Sequence, residues 1–247
     1  MFKKLFLVSL SLLSLHASSI TIAVAANVSY AIKPLVQAFE NEHKEIKVKT
    51  VLGSSGKLTA QIMHSAPYTL FMSADLAYPQ KLYAKGFAQT PPVIYAKGKL
   101  VLLSKKPRNF SKGLDLLLEK KIKKIAVANP KTAPYGRATQ EALKSVGLYE
   151  KLHSKFIYGE SIGQTFIYTM RATDIGIVAK SLLSSPKLAY FQKGKNYIDI
   201  DTKLYTPISQ GVVVLKKADK NTKLFYNFLF SKEAKEIFEH YGYGVDD

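Results

Sequence analysis

Cysteine is absent from all 247 residues, which excludes disulfides, thiol chemistry and a lipid-modified cysteine at a cleavage site. Histidine is sparse: His16, His43, His64, His153 and His240 show no metal-ligand spacing. The chain has no phosphate-binding P-loop and no G-x-G-x-x-G turn. Apolar runs long enough to span a bilayer are missing beyond the first segment, since SLLSSPKLAYF is broken by Pro186 and carries Lys187. With no evident nucleophile–base pair, metal cluster or carboxylate pair, the chain is not expected to be an enzyme.

What is present begins with an export signal. MFKKLFLVSLSLLSLHASS combines Lys3 and Lys4, an apolar stretch, and small residues around Ala17 and Ser19, the layout of a cleavable leader. Residues 1–19 are therefore expected to be a signal peptide. The mature chain would start near Ser18 to Ile20 and be free in the periplasm.

The formal net charge of +18 invites a nucleic-acid reading, because clustered Lys and Arg release counterions from phosphates. The lysines here are spread along the whole chain. The densest run, Glu119-Lys120-Lys121-Ile122-Lys123-Lys124, reads as a solvated helix end. Aromatic residues do not interleave with a basic stripe, so no nucleic-acid partner is expected; a general attraction for anions remains.

Residues 20–24 read as a β-strand, followed by the small turn Ala25-Ala26-Asn27 and a helix carrying Ile32, Leu35, Val36 and Phe39. The unit repeats, with a strand at 46–52, a Gly53-Ser54-Ser55-Gly56 turn and a helix at 58–64. A strand at 70–72 leads to a helix start at Ser73-Ala74-Asp75, where Asp75 is expected as an N-cap. Further strands are expected at 100–103, 124–128, 175–178 and 211–215. Helices are expected at 114–118, 137–146 and 161–172, and helical spacing continues over 222–240. Strands alternating with helices imply parallel sheets flanked by helices, with ligands outside the carboxyl ends of the strands.

The turns at Asn27 and at residues 53–56 therefore lie where a site belongs. A helix start exposes unpaired N–H groups and partial positive charge, which suits an anion. Asn27 can donate through its amide and Ser54 or Ser55 through hydroxyls, while the glycines let backbone N–H groups curl inward. Each turn read alone is equally a capped helix start.

Read in order, ITIAVAANVSYAIKPLVQAFE, VLGSSGKLTAQI, LFMSADLAYPQKLYAKG, IAVANPKTAPYGRATQEALKSVG, IGIVAKSLL and FLFSKEAKEIFEHYGYG resemble the periplasmic molybdate-binding proteins of ABC transporters. The resemblance covers nearly all of the mature chain. It implies an α/β fold of two lobes, the type II periplasmic binding protein fold, each lobe a mostly parallel sheet flanked by helices and joined by two hinge crossovers. Residues 20–96 and 209–247 would form the first lobe and 97–208 the second. It implies capture of molybdate or tungstate, delivery to the membrane permease of an ABC transporter, a monomer, and no cofactor.

The resemblance further implies that the oxyanion is held by Asn27 and Ser55 and by the backbone N–H groups of Tyr135 and Ile162. Any metal contact of these four would be to an oxyanion, not to a bare cation. Departures from the family pattern are Thr69, where an acidic residue is common, and Ala179, where a tyrosine hydroxyl is common; that donor is either missing or replaced by Tyr135, Gln164 or water. Lys57 is expected in solvent, with a charged lid over the anion as the alternative reading.

The alternatives are a receptor for another oxyanion such as sulfate, and an enzyme acting on phosphate or sulfate esters. Protonated phosphate needs an acceptor that the matched positions do not supply. A ferric site wants clustered tyrosines, and the 15 tyrosines show no such spacing.

Overall fold

The computed structural model describes residues 18–246, so the expected leader lies outside the described residues apart from Ser18 and Ser19. β1 (Ser18–Ala25) has a partner strand on each side, and its alternate side chains enter different cores. Ile20, Ile22 and Val24 pack with Leu35, Phe39 and Phe225, whereas Ala23 meets Leu58, Ile62 and Leu82. α1 (Ile32–Glu42) buries Ile32, Leu35 and Phe39 on one stripe. β2 (Ile46–Gly53), α2 (Ser55–Met63), β3 (Leu70–Met72) and α3 (Ala77–Ala84) repeat the strand-then-helix unit, and β4 (Val93–Gly98) ends it.

Lys99 carries the chain into a second sheet. There β5 (Leu100–Leu103), β6 (Ile125–Ala128), α4 (Pro134–Ser145), the single turn α5 (Tyr149–Leu152) and β7 (Phe156–Gly159) follow in order. α6 (Ile162–Arg171), β8 (Ile175–Ala179) and β9 (Tyr197–Asp199) complete this lobe. Every residue of β5, β6 and β8 is buried, as strands covered on both faces require. β10 (Ile208–Val214) returns to the first sheet, which α7 (Lys220–Phe228) and α8 (Lys232–His240) then cover.

The strand orders are β2-β1-β3-β10-β4 and β7-β6-β8-β5-β9. In each sheet the first two pairings are parallel and the last two antiparallel. The two-lobed α/β architecture is thus present, and each sheet is mixed, with four of its five strands running in one direction and only β10 or β5 the opposite way. Strands reached over a helix run parallel to their neighbours; β5 and β10 arrive instead by direct passage from the other lobe and run the opposite way. Lys97 and Gly98 pair with Ser209 and Ile208, so the β4–β10 ladder runs up to both crossovers.

Other elements differ locally from the sequence expectation. Residues 113–118 form a 3-10 helix. The C-terminal helical stretch is two helices, because Ser231 caps α8 by accepting the Ala234 N–H (3.2 Å). α4 starts at Pro134, earlier than the expected 137, since proline suits the first helical position.

Candidate functional site

Four helix starts meet between the sheets. The 3-10 turn Ala26–Val28 follows β1, α2 follows β2, α4 follows β6 and α6 follows β7, each leaving the carboxyl end of a parallel strand. They surround a cavity of about 10 Å³ that no charged side chain lines, the scale of one water molecule. Asn27, Ser55, Tyr135 and Ile162 all line it, although they come from separate parts of the chain.

The local sequence explains how each wall residue is presented. Ser54 caps α2 by accepting the Lys57 N–H (3.3 Å), which makes Ser55 the first helical residue. Ser55 Oγ accepts the Ala74 N–H (3.0 Å), so its position is fixed and its own hydrogen is left to donate. Tyr135 is the second residue of α4 and Ile162 the first of α6; N–H groups at these positions have no intrahelical acceptor. Ser161 caps α6 by accepting the Gln164 N–H (3.2 Å).

Asn27 departs from the expected role. Its amide hydrogens go to Gln210 Oε1 and Tyr243 Oη, both at 2.8 Å, not toward the cavity. Gln210 sets this orientation, because its Nε2 donates to the carbonyls of Ile208 (3.0 Å) and Ala74 (3.5 Å) and so turns Oε1 to Asn27. The Asn27 carbonyl accepts from Tyr243 and, from the other lobe, Ser181, each at 2.8 Å. Asn27 Oδ1 and Tyr135 Oη are buried without a partner. Burial, reinforced by neighbouring tyrosines, pushes the hydroxyls of Tyr95 and Tyr135 up; burial does the same to Tyr243, against hydrogen bonds from Ser181 and Asn27. The cluster behind the cavity is therefore uncharged.

The two substitutes suggested for a hydroxyl at Ala179 face elsewhere. Tyr135 directs its hydroxyl toward Gly98 and Gln210, and Gln164 Oε1 accepts the Glu160 N–H (2.6 Å) outside the cavity lining.

Around the rim the lobes touch directly. The Gly56 N–H donates to the Thr132 carbonyl (3.0 Å); a Cβ on Gly56 would lie 3.0 Å from that oxygen and 2.7 Å from Tyr78 Oη, so only glycine permits the approach. Lys57 pairs with Glu160 of the other lobe at 3.2 Å, each side chain 53% exposed, so it bridges the cleft as well as facing water. Asp75 accepts the Tyr78 N–H (3.3 Å) from one position before the α3 cap, Leu76. It also forms an ion pair with Arg137 of the second lobe, which gives it a role beyond the expected cap. Burial pushes the Asp75 carboxyl up, against the pull of Arg137, Tyr78 and Ser73.

Although the chain was expected to hold no G-x-S-x-G elbow, Gly159-Glu160-Ser161-Ile162-Gly163 has that pattern and lies on a strand-to-helix turn. Ser161 Oγ accepts the Gln164 N–H, and no histidine or carboxylate hydrogen-bonds to it among the described residues. It acts as a helix cap. Gln210, Tyr243, Ser181 and Arg137 had no place in the sequence-derived site; Gln210 alone left a signal, as a fully buried polar residue in the apolar strand ISQGVVV.

Residues 20–244 match the family described as bacterial extracellular solute-binding protein. The molybdate-binding protein ModA of Azotobacter vinelandii is 35% identical over 236 residues, 93% of this chain and 91% of that one. Its namesake from Rhodobacter capsulatus is 35% identical over 232 residues, 92% of this chain and 88% of that one. Among solved structures, the A. vinelandii periplasmic molybdate-binding protein aligns with a TM-score of 0.85 at 30% identity, covering 92% of this chain and 100% of its own.

Proposed function

The chain belongs to the bacterial extracellular solute-binding proteins, in the family of the molybdate-binding proteins, and from that premise we propose that it captures molybdate or tungstate in the interlobe cavity and presents it to the permease of an ABC transporter. The observation that carries this reading is the convergence of four helix starts on one small cavity without a charged wall residue. Such a wall offers N–H groups and a serine hydrogen to a dianion that has no proton to share.

The first lobe contributes Asn27 and Ser55, the second Tyr135 and Ile162. Each lobe alone would leave the anion half solvated, so binding favours the closed arrangement that a permease can distinguish from the open one. Asn27 acts chiefly by shaping the wall, because its amide holds the hinge cluster. Ser55 and the backbone N–H groups are the donors. No chemical turnover is assigned. Export to the periplasm is supported by the leader pattern of residues 1–19 and by the periplasmic relative. Native mass spectrometry of protein isolated from the periplasm tests the proposal: a single retained molybdate or tungstate supports it, and a retained organic solute contradicts it.

A further inference from the structure

We infer that the Tyr135 side chain is the stop that sets how far the lobes close, and thereby which size of oxyanion the cavity accepts. The inference rests on the reading of the cavity as an oxyanion site. Tyr135 has two ends with different surroundings. Its backbone belongs to the cavity wall, while its ring runs to the pivot, where Oη abuts Gly98, the last residue of β4 before the crossover at Lys99. The contact is tight: a Cβ on Gly98 would overlap Oη and lie 2.9 Å from both Tyr135 Cζ and Gln210 Nε2.

Tyr135 sits in the second lobe and Gly98 ends the first-sheet strand β4 at the crossover, so this contact spans the pivot. Tyr135 is the largest of the fully buried side chains, and its hydroxyl has no well-formed hydrogen bond, Asn27 being the nearest side chain that could supply one. A buried hydroxyl without a partner is destabilising; what it supplies here is volume. The wall it presses on is held firmly, because Gln210 Nε2 is tied to the carbonyls of Ile208 and Ala74. An obstruction beside the pivot limits rotation of the whole lobe. With closure limited, donors from both lobes reach a large tetrahedral anion and fall short of a small one, leaving some unsatisfied.

Titration calorimetry of the mature protein with molybdate, tungstate and sulfate, compared with Tyr135→Phe and Gly98→Ala, tests the stop. In Tyr135→Phe, which keeps the backbone N–H in the wall, sulfate is expected to tighten relative to molybdate so that molybdate-over-sulfate discrimination narrows about tenfold or more. Gly98→Ala moves the obstruction the other way and should weaken every anion, sulfate at least as much as molybdate. A Tyr135→Phe protein that loses molybdate and sulfate in parallel would show that the hydroxyl acts as a hydrogen-bonding group, and would overturn the stop. Unchanged discrimination would overturn it too. An unsubstituted protein that binds no tetrahedral oxyanion would instead remove the oxyanion reading, and the stop with it.

Discussion

Arg137, on the first turns of α4, reaches across the cleft to the carboxylate of Asp75, which the other lobe holds through Ser73 Oγ (3.1 Å) and the Tyr78 N–H (3.3 Å). The guanidinium also lies over the Tyr78 ring, 5.4 Å from its centroid. Neither residue is in the cavity lining. Opening about the crossovers separates them, so the pair belongs to the closed arrangement.

The Asp75 and Arg137 side chains are 16% and 36% exposed, against 53% for each member of the Lys57–Glu160 pair. Removing one partner of the more buried pair leaves a charge with no counterpart, so Asp75→Asn or Arg137→Gln should each weaken molybdate binding about tenfold. The double substitution should cost clearly less than the two singles combined. Lys57→Met should change the affinity by less than about threefold, as for an exposed pair. A double-mutant cycle by calorimetry checks all three, and additive losses at Asp75 and Arg137 would count against the pairing.

Ser55→Ala removes a donor to the anion and should weaken binding by about 1.5 to 3 kcal/mol, the range for a hydrogen bond to a charged group. Asn27→Ala should cost more and also lower the melting temperature of the ligand-free protein. It leaves Gln210 Oε1 in a buried site without the bond it now accepts. Paired titrations and melts separate the two effects; equal melting of the two variants would contradict the hinge role of Asn27.

Gly56→Ala places a methyl group against Thr132 and Tyr78 of the rim. It should weaken molybdate about tenfold because the Thr132 contact arises only on closure, whereas the contact with Tyr78 Oη lies within the first lobe and is relieved by the flexible end of that side chain, leaving the ligand-free melt within about 0.5 kcal/mol of the parent. An altered ligand-free melt with unchanged affinity would place the strain within the first lobe.

The legible part of the fold was its buried part. Runs such as LVLL, IAVA and IGIVA announce strands covered on both faces, and the small turns after the first two strands announce helix starts, which pointed to Asn27 and Ser55; Tyr135 and Ile162 were named only through the resemblance to the molybdate-binding proteins. β4 and β7 were not read as strands: they are edge strands whose Val93, Ile94, Ile157 and Tyr158 are exposed, and their apolar runs, VIYA and FIY, are too short to be told from a loop or a helix segment. The orientation of Asn27 was out of reach for a different reason. It depends on Gln210 and Tyr243, 183 and 216 residues away, and on two carbonyls that fix Gln210. The Asp75–Arg137 pair likewise left no local trace, since opposite charges 62 residues apart are ordinary in any sequence.

Asp174 gives the second lobe a pH-dependent contribution. Burial pushes its carboxyl up, but the N–H groups of Lys124 and Lys123, with Arg108 and Lys106, outweigh burial and hold it below the ordinary value. A carboxyl lowered in the folded state stabilises above its unfolded pKa of about 3.9, and that contribution is lost as the pH falls through the folded value. Asp174→Asn should therefore melt below the parent at pH 7, with the gap closing below about pH 4. Melts at three pH values decide it; a gap independent of pH would assign the loss to packing.

A tetrahedral oxyanion is expected to draw the two lobes together around a neutral cavity, and small-angle scattering of the mature protein with and without molybdate, paired with a thermal melt, measures that closure. Ligand at about 1,000 times its dissociation constant should add about 4 kcal/mol of apparent stability. Closure on the anion gives a raised melting midpoint together with a smaller radius of gyration. A raised midpoint with unchanged dimensions would contradict it, because the anion would then occupy a pocket that needs only one lobe.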